Sequence, residues 1–375
     1  MSDLSIEVTP NANKRSDAER SALIADAGFG RIFTDHMVTI NWSRDIGWHD
    51  WQLRAREPFS IDPASVVLHY AQEVFEGMKA YKRDDGEIAL FRPQDNARRL
   101  NLSASRLAMP DLPPSLFIES VERLIDIDRA WVPGGEGALY LRPFMFANDA
   151  FLGVQAANHY IFCVIASPVG AYFKGGMKPL SLWISNQFTR AASGGTGAAK
   201  CGGNYAAGLI AQAEANANGC DQVVFLDAVE HRWIEELGGM NIFFVMDDGS
   251  IRTPELGTIL AGVTRASVIE LARSEGHAVL EQRYSIDEWS ADAASGRLRE
   301  VFVCGTAATV IGVGDVCSAT DQFTIAGGHS GPVTEKIRSR LIAIQRGRAP
   351  DPFDWCRTVP AREVNGETVP NMQTC

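Results

Sequence analysis

The sequence has no cysteine pair spaced C-x-x-C, no H-x-x-x-H or H-x-H cluster and no basic run. The first two absences remove the usual signs of a zinc site or a dithiol couple, so no metal is expected. The third occurs in a chain whose 46 Asp and Glu outnumber its 35 Lys and Arg, for a net charge of −11. That balance argues against nucleic acid or an anionic membrane surface as a partner. The opening segment, MSDLSIEVTPNANKRSDAERSALIADAGFG, holds neither an apolar signal core nor an acid-free, arginine-rich amphipathic helix. No apolar run reaches membrane-spanning length. The longest, HYIFCVIASPVG, ends in Pro and Gly and reads as a buried strand. Seven scattered cysteines fit reduced thiols in a cytoplasmic protein. No repeat of fixed period is present.

What is present is an ordinary globular composition, 46% hydrophobic over 375 residues, long enough for two domains. Residues 1–25 read as polar and poorly ordered. A small α/β domain is expected over 26–166, a Gly- and Pro-rich linker over 167–179, a larger domain over 180–357, and a tail over 358–375. Strands are expected at HMVTINWS, SVVLHYA, GALYLRPFMFA, NHYIFCVIASPVG and LSLWIS, with hairpins at KAYKRDDGEIALFRP and NIFFVMDDGSIRT. Helices are expected at QDNARRLNLSASRLAM, SLFIESVERLIDIDRAWV, GVTRASVIELARSEG and toward the C-terminus at GPVTEKIRSRLIAIQRG. Another, NYAAGLIAQAEANANG, has Asn204 as its expected cap. So many hairpins oppose a doubly wound parallel sheet. The expected fold class is α+β, two domains with antiparallel-rich sheets and a site in the crevice between them.

The chemistry centres on SGGTGAAKCGGNYAAG, where Lys200 stands among glycines. A phosphate-cradling loop needs G-x-x-x-x-G-K-[ST] opening from a strand. Here Ala199 precedes the lysine and Cys201 follows it, so that reading fails. A lysine enclosed by small residues in a low-polarity crevice has a depressed pKa and can attack an aldehyde. That is the requirement for a Schiff-base lysine carrying pyridoxal phosphate. Such a cofactor needs a buried carboxylate at its ring nitrogen, and Glu235 or Glu236 in WIEELGG could supply one. As strand neighbours they face opposite ways. Tyr205 could serve the phenolic oxygen. The helix start at AGVTR offers free N–H groups to a phosphate, and the GTAA turn at 305–308 adds a hydroxyl. Arg92, Arg98, Arg99 and Arg142 are all candidates for the cation.

The segments EVFEGMKAY, LFRPQDNARRL, LYLRP, GGTGAAKCGGNYAAG, WIEELGGMN, GVTRASVIELA and VFVCGTAATV, in that order, resemble the branched-chain amino acid aminotransferases, pyridoxal-phosphate enzymes of fold type IV. The resemblance runs from about Phe33 to Trp355. It implies transamination of leucine, isoleucine and valine with 2-oxoglutarate, in a homodimer. By the same resemblance Lys200 is the Schiff-base lysine and proton shuttle, and Glu236 faces the ring nitrogen, leaving Glu235 outward. Tyr205 serves the phenolic oxygen, and Arg99, Val263, Thr264 and Thr306 hold the phosphate. Thr306 and Ala307 would bind the α-carboxylate. Phe33, Tyr70, Phe75, Tyr140 and Val154 would line the apolar pocket, and Arg142 would meet the distal carboxylate of glutamate. Ala308 and Ile311 stand where some relatives carry a thiol pair. Cys201 reads as a packing substitution, and Gly239 replaces a threonine. A D-amino-acid aminotransferase or an aminodeoxychorismate lyase of the same fold is the alternative, with a non-catalytic nucleotide-binding module more distant.

Overall fold

The computed structural model describes residues 4–170 and 178–362. The expected linker at 167–179 therefore lies largely outside the described residues, as does most of the tail. Two nine-stranded sheets carry the architecture. The first runs Glu7–Val8, Gly47–Ala55, His36–Ser43, His159–Val169, Ala138–Ala147, Met78–Lys82, Ile88–Phe91 and Cys356–Thr358, with Glu73–Phe75 paired to Ala138–Ala147. All its pairings are antiparallel except that of Glu7–Val8 with Gly47–Ala55. The second runs Ile234–Leu237, Gln222–Leu226, Leu180–Ser185, Thr309–Cys317, Leu298–Gly305, Asn241–Met246, Ile251–Thr253 and Val279–Glu281, with Gln322–Thr324 beside Thr309–Cys317. Leu180–Ser185 pairs in parallel with both its neighbours, so this sheet is mixed.

Apolar burial follows the same division. One core joins the first sheet to the helices Pro93–Arg106 and Pro114–Ile127 through Leu100, Phe117, Leu124 and Trp131. Another lies within the second sheet around Phe244, Tyr284 and Trp289. A third bridges the two, bringing Tyr81, Phe91 and Val169 of the first sheet against Phe243, Phe302 and Leu341. Each large apolar side chain buried this way stabilises the fold by roughly 1.5–3 kcal/mol. The bridging core joins the two sheets, and Ala199 and Cys201, on either side of Lys200, pack into the core of the first.

Three local expectations are corrected. Residues 4–25 are not featureless: Ser16 caps the helix Asp17–Ala25 and Glu19 reaches back to it, the reciprocal S-x-x-E box. The run at 65–71 is a short helix, Val66–Tyr70, rather than a strand. Five apolar residues cannot distinguish the two periods; here Ser65 forms only an isolated bridge to Ala150 and Ala71 ends the turn at φ 48°. Asn204 does not cap its helix, which starts at Gly202 after Cys201. Its buried amide instead donates to the carbonyls of Thr196 and Ala199, 2.8 Å each, and fastens the glycine-rich loop.

Candidate active site

The loop is fixed before the lysine is reached. Gly197 has no room for a Cβ, which would collide with the carbonyl of Thr258. The buried Arg190 donates to the carbonyls of both Gly197 (3.1 Å) and Thr258 (3.3 Å). The backbone of Lys200 donates to Ser103 Oγ at 2.9 Å and accepts from Phe75 N at 3.0 Å. These contacts come from the first-sheet side, so both halves of the molecule locate this one residue. The side chain is half-buried. Its Nζ donates to the Tyr205 hydroxyl at 2.5 Å and stands 4.7 Å from the Phe75 ring centroid. Burial, then the nearby Arg99 guanidinium, push the amine down to about 8. Burial also pushes Tyr205 up to about 12, which keeps the phenol protonated.

Glu236 is buried on the second-sheet side. Its Oε1 accepts from Leu260 N (2.9 Å) and pairs with Arg190 (2.9 Å), while Oε2 accepts only from Asn241 Nδ2 (3.0 Å). A carboxylate offers about four acceptor positions, so one on Oε2 is left for a further donor. Burial lifts this carboxyl to about 7 against the pull of Arg190. A cationic N–H partner would bring it back down. Glu235 does point the other way, but not to solvent. It is 7% exposed and accepts from the Thr258 hydroxyl, because the loop before residue 262 packs over it.

The four candidate arginines separate cleanly. Arg98 is exposed beside Asp95. Arg92 turns toward Asp95, Ser267 and the Trp355 ring. Arg99 is buried and held by both oxygens of Glu76 at 2.8 Å, with Nη1 donating to Ala261 O at 3.2 Å. It thus sits at the N-terminus of the helix Val263–Ser274, where unpaired N–H groups favour an anion. A cavity there is lined by Lys79, Asn96, Val263, Thr264, Gly305 and Thr306. Lys79 donates to the carbonyl of Ala307 at 2.7 Å, and burial followed by repulsion from Arg346 lowers its amine to about 8. At the end of this turn Thr309, a β-branched residue, sits in the left-handed region at φ 65°, the kind of stored strain that clusters at functional sites.

Phe75 is the hub of the apolar wall. Its ring lies 5.0 Å from that of Tyr205 and 4.9 Å from the Arg142 guanidinium, and Arg142 Nη2 donates to Tyr140 Oη at 3.1 Å. Phe29, not Phe33, packs edge-on against Tyr140 at 5.0 Å; the Phe33 ring meets Arg56 instead. Tyr70 and Val154 stand apart from this group, 40% and 85% exposed, with the Tyr70 hydroxyl donating to Leu152 O at 2.6 Å. Sequence reasoning had passed over Glu76, Arg190, Asn241, Lys79 and Phe29. Glu76 and Lys79 lie inside EVFEGMKAY and were open to view; Arg190 and Asn241 carry no local signal.

This donor set fits pyridoxal phosphate: an enclosed amine, a neutral phenol, a carboxylate with an open acceptor position, and an arginine at a helix N-terminus. Ala308 and Ile311 are packed in the core, without a thiol between them, and Cys201 is buried beside Ala199. No cluster of three metal-ligating side chains occurs among the described residues, and no described helix is long and apolar enough to cross a membrane.

Residues 73–316 match the family profile of amino-transferase class IV. A probable branched-chain-amino-acid aminotransferase of Streptomyces coelicolor is 54% identical over 362 residues, covering 96% of this chain and 100% of the relative. The branched-chain-amino-acid aminotransferase of Mycobacterium tuberculosis is 53% identical over 358 residues, 94% of this chain and 97% of that one. Among solved structures, the branched-chain amino acid aminotransferase of Escherichia coli superposes with a TM-score of 0.72 at 27% identity, covering 86% of this chain and 99% of that one. A T.th. branched-chain amino acid aminotransferase complexed with N-(5'-phosphopyridoxyl)-L-glutamate gives 0.71 at 28% identity, covering 89% and 99%.

Proposed function

The chain belongs to the class IV aminotransferases and, within them, to the branched-chain amino acid aminotransferases, and from that membership we propose how its residues divide the work. The enzyme exchanges the amino group of leucine, isoleucine or valine for the keto oxygen of 2-oxoglutarate, yielding the branched 2-keto acid and glutamate. Its cofactor is pyridoxal 5'-phosphate. When bound, that group supplies an aldehyde carbon for the amine and a ring that draws electrons from Cα. The observation that carries the assignment is the enclosed Lys200 amine at 2.5 Å from Tyr205, opposite a buried Glu236 with one acceptor position open.

In this reading Lys200 holds the cofactor and is the base that takes the proton from substrate Cα in one half-reaction and returns one to Cα in the other. An amine pushed down to about 8 is suited to both directions. Glu236 keeps the ring nitrogen protonated, and Tyr205 hydrogen-bonds the phenolic oxygen. Arg99, Val263, Thr264 and Thr306 hold the phosphate. Thr306 and Ala307 bind the α-carboxylate, and Phe75 and Tyr140 line the side-chain pocket, with Arg142 at its rim for the distal carboxylate. Tyr70, Val154 and the exposed Leu68 and Leu152 form an apolar patch apart from Phe75. We assign it to a homodimer contact that brings Tyr70 and Val154 to a second copy's pocket. The thiols fit a cytoplasmic setting, since every described cysteine is free. The domain division expected from sequence, 26–166 and 180–357, belongs to the same proposal. The first sheet's run to Val169 and the second sheet's start at Leu180 support it, while the chain returns to the first sheet at Cys356–Thr358.

The test is transamination of L-leucine with 2-oxoglutarate beside D-alanine and aminodeoxychorismate. Activity on either rival instead of leucine would overturn the substrate assignment. Sedimentation as a monomer would overturn the dimer, and full activity in a Tyr70→Ala variant would overturn the reach of Tyr70 into a second copy's pocket.

A further inference from the structure

Lys79 stands on the strand Met78–Lys82, opposite Tyr140 of Ala138–Ala147. Opposed residues share a face of an antiparallel pair, as do alternate residues along one strand. Lys79 therefore rises beside the wall that carries Tyr140 and Arg142. The packing there is close, and a Cβ on Gly77 would collide with the Tyr140 hydroxyl. From this face the Lys79 side chain crosses to the other sheet. Its Nζ donates to the carbonyl of Ala307 at 2.7 Å, 228 residues along the chain. Ala307 lies in the hairpin turn between Leu298–Gly305 and Thr309–Cys317, which Gly305 opposite Thr309 closes around Thr306, Ala307 and Ala308. Among the described residues no other side chain hydrogen-bonds this turn, and the N–H groups of Thr306 and Ala307 and the Thr306 hydroxyl have no hydrogen-bond partner. The turn is a set of open donors tied down by one amine.

The amine has capacity left. An ammonium carries three donors, and Lys79 engages one. No carboxylate lies within 4 Å of its Nζ among the described residues. Burial, then repulsion from Arg346, lowers the amine to about 8, which leaves it protonated at neutral pH. Lys79 lines the same cavity as Thr264, Gly305 and Thr306. A cation withdrawn from water without a counter-ion favours an anion in reach. The substrates bring one: every amino acid and 2-keto acid of the reaction carries an α-carboxylate.

We propose that Lys79 is a positioning residue for the α-carboxylate, orienting the Thr306–Ala307 turn through the Ala307 carbonyl and lending it a positive charge that the bound substrate neutralises. The proposal rests on the assignment of that turn to the α-carboxylate. It sets Lys79 apart from Arg142 on the same face. Lys79 acts on leucine and 2-oxoglutarate alike, because both carry the α-carboxylate, whereas Arg142 acts on the dicarboxylate alone.

The test compares the wild-type holoenzyme with Lys79→Met, which fills the space without charge or donor, and Lys79→Gln, which keeps a donor for Ala307 without the charge. In Lys79→Met the KM values for leucine and 2-oxoglutarate are expected to rise together, roughly tenfold, with kcat within about threefold. Arg142→Gln should raise the KM for 2-oxoglutarate alone. By calorimetry 4-methylvalerate, a carboxylate that cannot react, should bind Lys79→Met roughly tenfold and Lys79→Gln roughly threefold more weakly, while the uncharged 4-methylvaleramide shifts by less than about twofold in either. Lys79→Arg, which retains charge and donors, should recover 4-methylvalerate binding to within about threefold of wild type. Equal losses for carboxylate and amide would make Lys79 a structural tie and overturn the proposal, as would wild-type affinity for 4-methylvalerate in Lys79→Gln. If wild type itself binds 4-methylvalerate no better than the amide, the carboxylate assignment of the turn has failed and the proposal with it. That result is distinct from an intact preference in Lys79→Met, which overturns the Lys79 step alone.

Discussion

Two buried glutamates, each paired with a buried arginine, flank the site. Glu76 on the first-sheet side is gripped by Arg99 through both oxygens, by Asn96 at 2.8 Å and by Gly77 N at 3.3 Å. With its charge met by so many donors, it is a brace for Arg99. Glu236 on the second-sheet side meets Arg190 through Oε1 alone and keeps a position open on Oε2. Its carboxyl is lifted to about 7. The same two residue types give a strut in one place and a tunable group in the other. The difference lies in how many donors surround the carboxylate.

The largest break expected in this picture comes from the group between the two pairs. Lys200→Met should lower turnover by roughly 10⁴-fold or more, measured with leucine and 2-oxoglutarate. The same variant should stabilise the cofactor-free protein. The lysine is pushed down to about 8 in the fold against roughly 10.4 unfolded, so the unfolded chain binds more protons between those values and wild-type stability rises with pH across that window. The gain from Lys200→Met is therefore largest below pH 8, on the order of 1–3 kcal/mol by denaturant titration.

The two glutamates should then separate by kind of damage. Glu236→Gln is expected to cost roughly 100-fold in kcat with the cofactor still bound. The Glu236 carboxyl is raised in the fold to about 7, so native protein holds more protons between the ordinary carboxylate value and pH 7, and stability falls with rising pH there. Glu236→Gln removes that fall, most visibly above pH 7 in the cofactor-free form. Glu76→Gln should do the reverse, losing roughly 3 kcal/mol or more because Arg99 is left buried without its counter-charge. Equal stability losses in the two variants would erase the distinction.

A finer test is Arg190→Met. Losing the guanidinium that opposes desolvation should move the Glu236 carboxyl further above about 7, and the acid limb of the kcat profile should move up with it. The smallest effect is expected from Thr258→Val, which removes the hydroxyl on Glu235 and should cost about 1 kcal/mol of stability with kcat unchanged.

Much of the site could be read from residue order. Lys200 with its glycines, Glu236 in a strand, Tyr205 after the loop and the helix opening at Val263 are local patterns, because each depends on neighbours within a few positions. The arginines were not separable that way. Arg98 and Arg99 are adjacent, and only the packing of the helix Pro93–Arg106 sends one to solvent and the other under Ala261. The strand expected at 65–71 is a helix with a single bridge, Ser65 to Ala150, at its start, and strand pairing is a property of two segments that one segment's residues do not specify. Glu235 was expected to point outward; the loop carrying Thr258 covers it.

The sequence by itself determined which groups are present and in what local setting: an amine among glycines, a carboxylate in a strand, and a fold rich in hairpins, since these follow from residue type and local period. Only the tertiary structure decided the electrostatics. Whether Glu76 is a strut and Glu236 a titrating group, and which arginine answers each, depends on donors arriving from segments as distant as residues 190, 241 and 260. The physical reason is that a carboxylate's charge state is set by what surrounds it within a few ångströms, and chain order does not specify that neighbourhood.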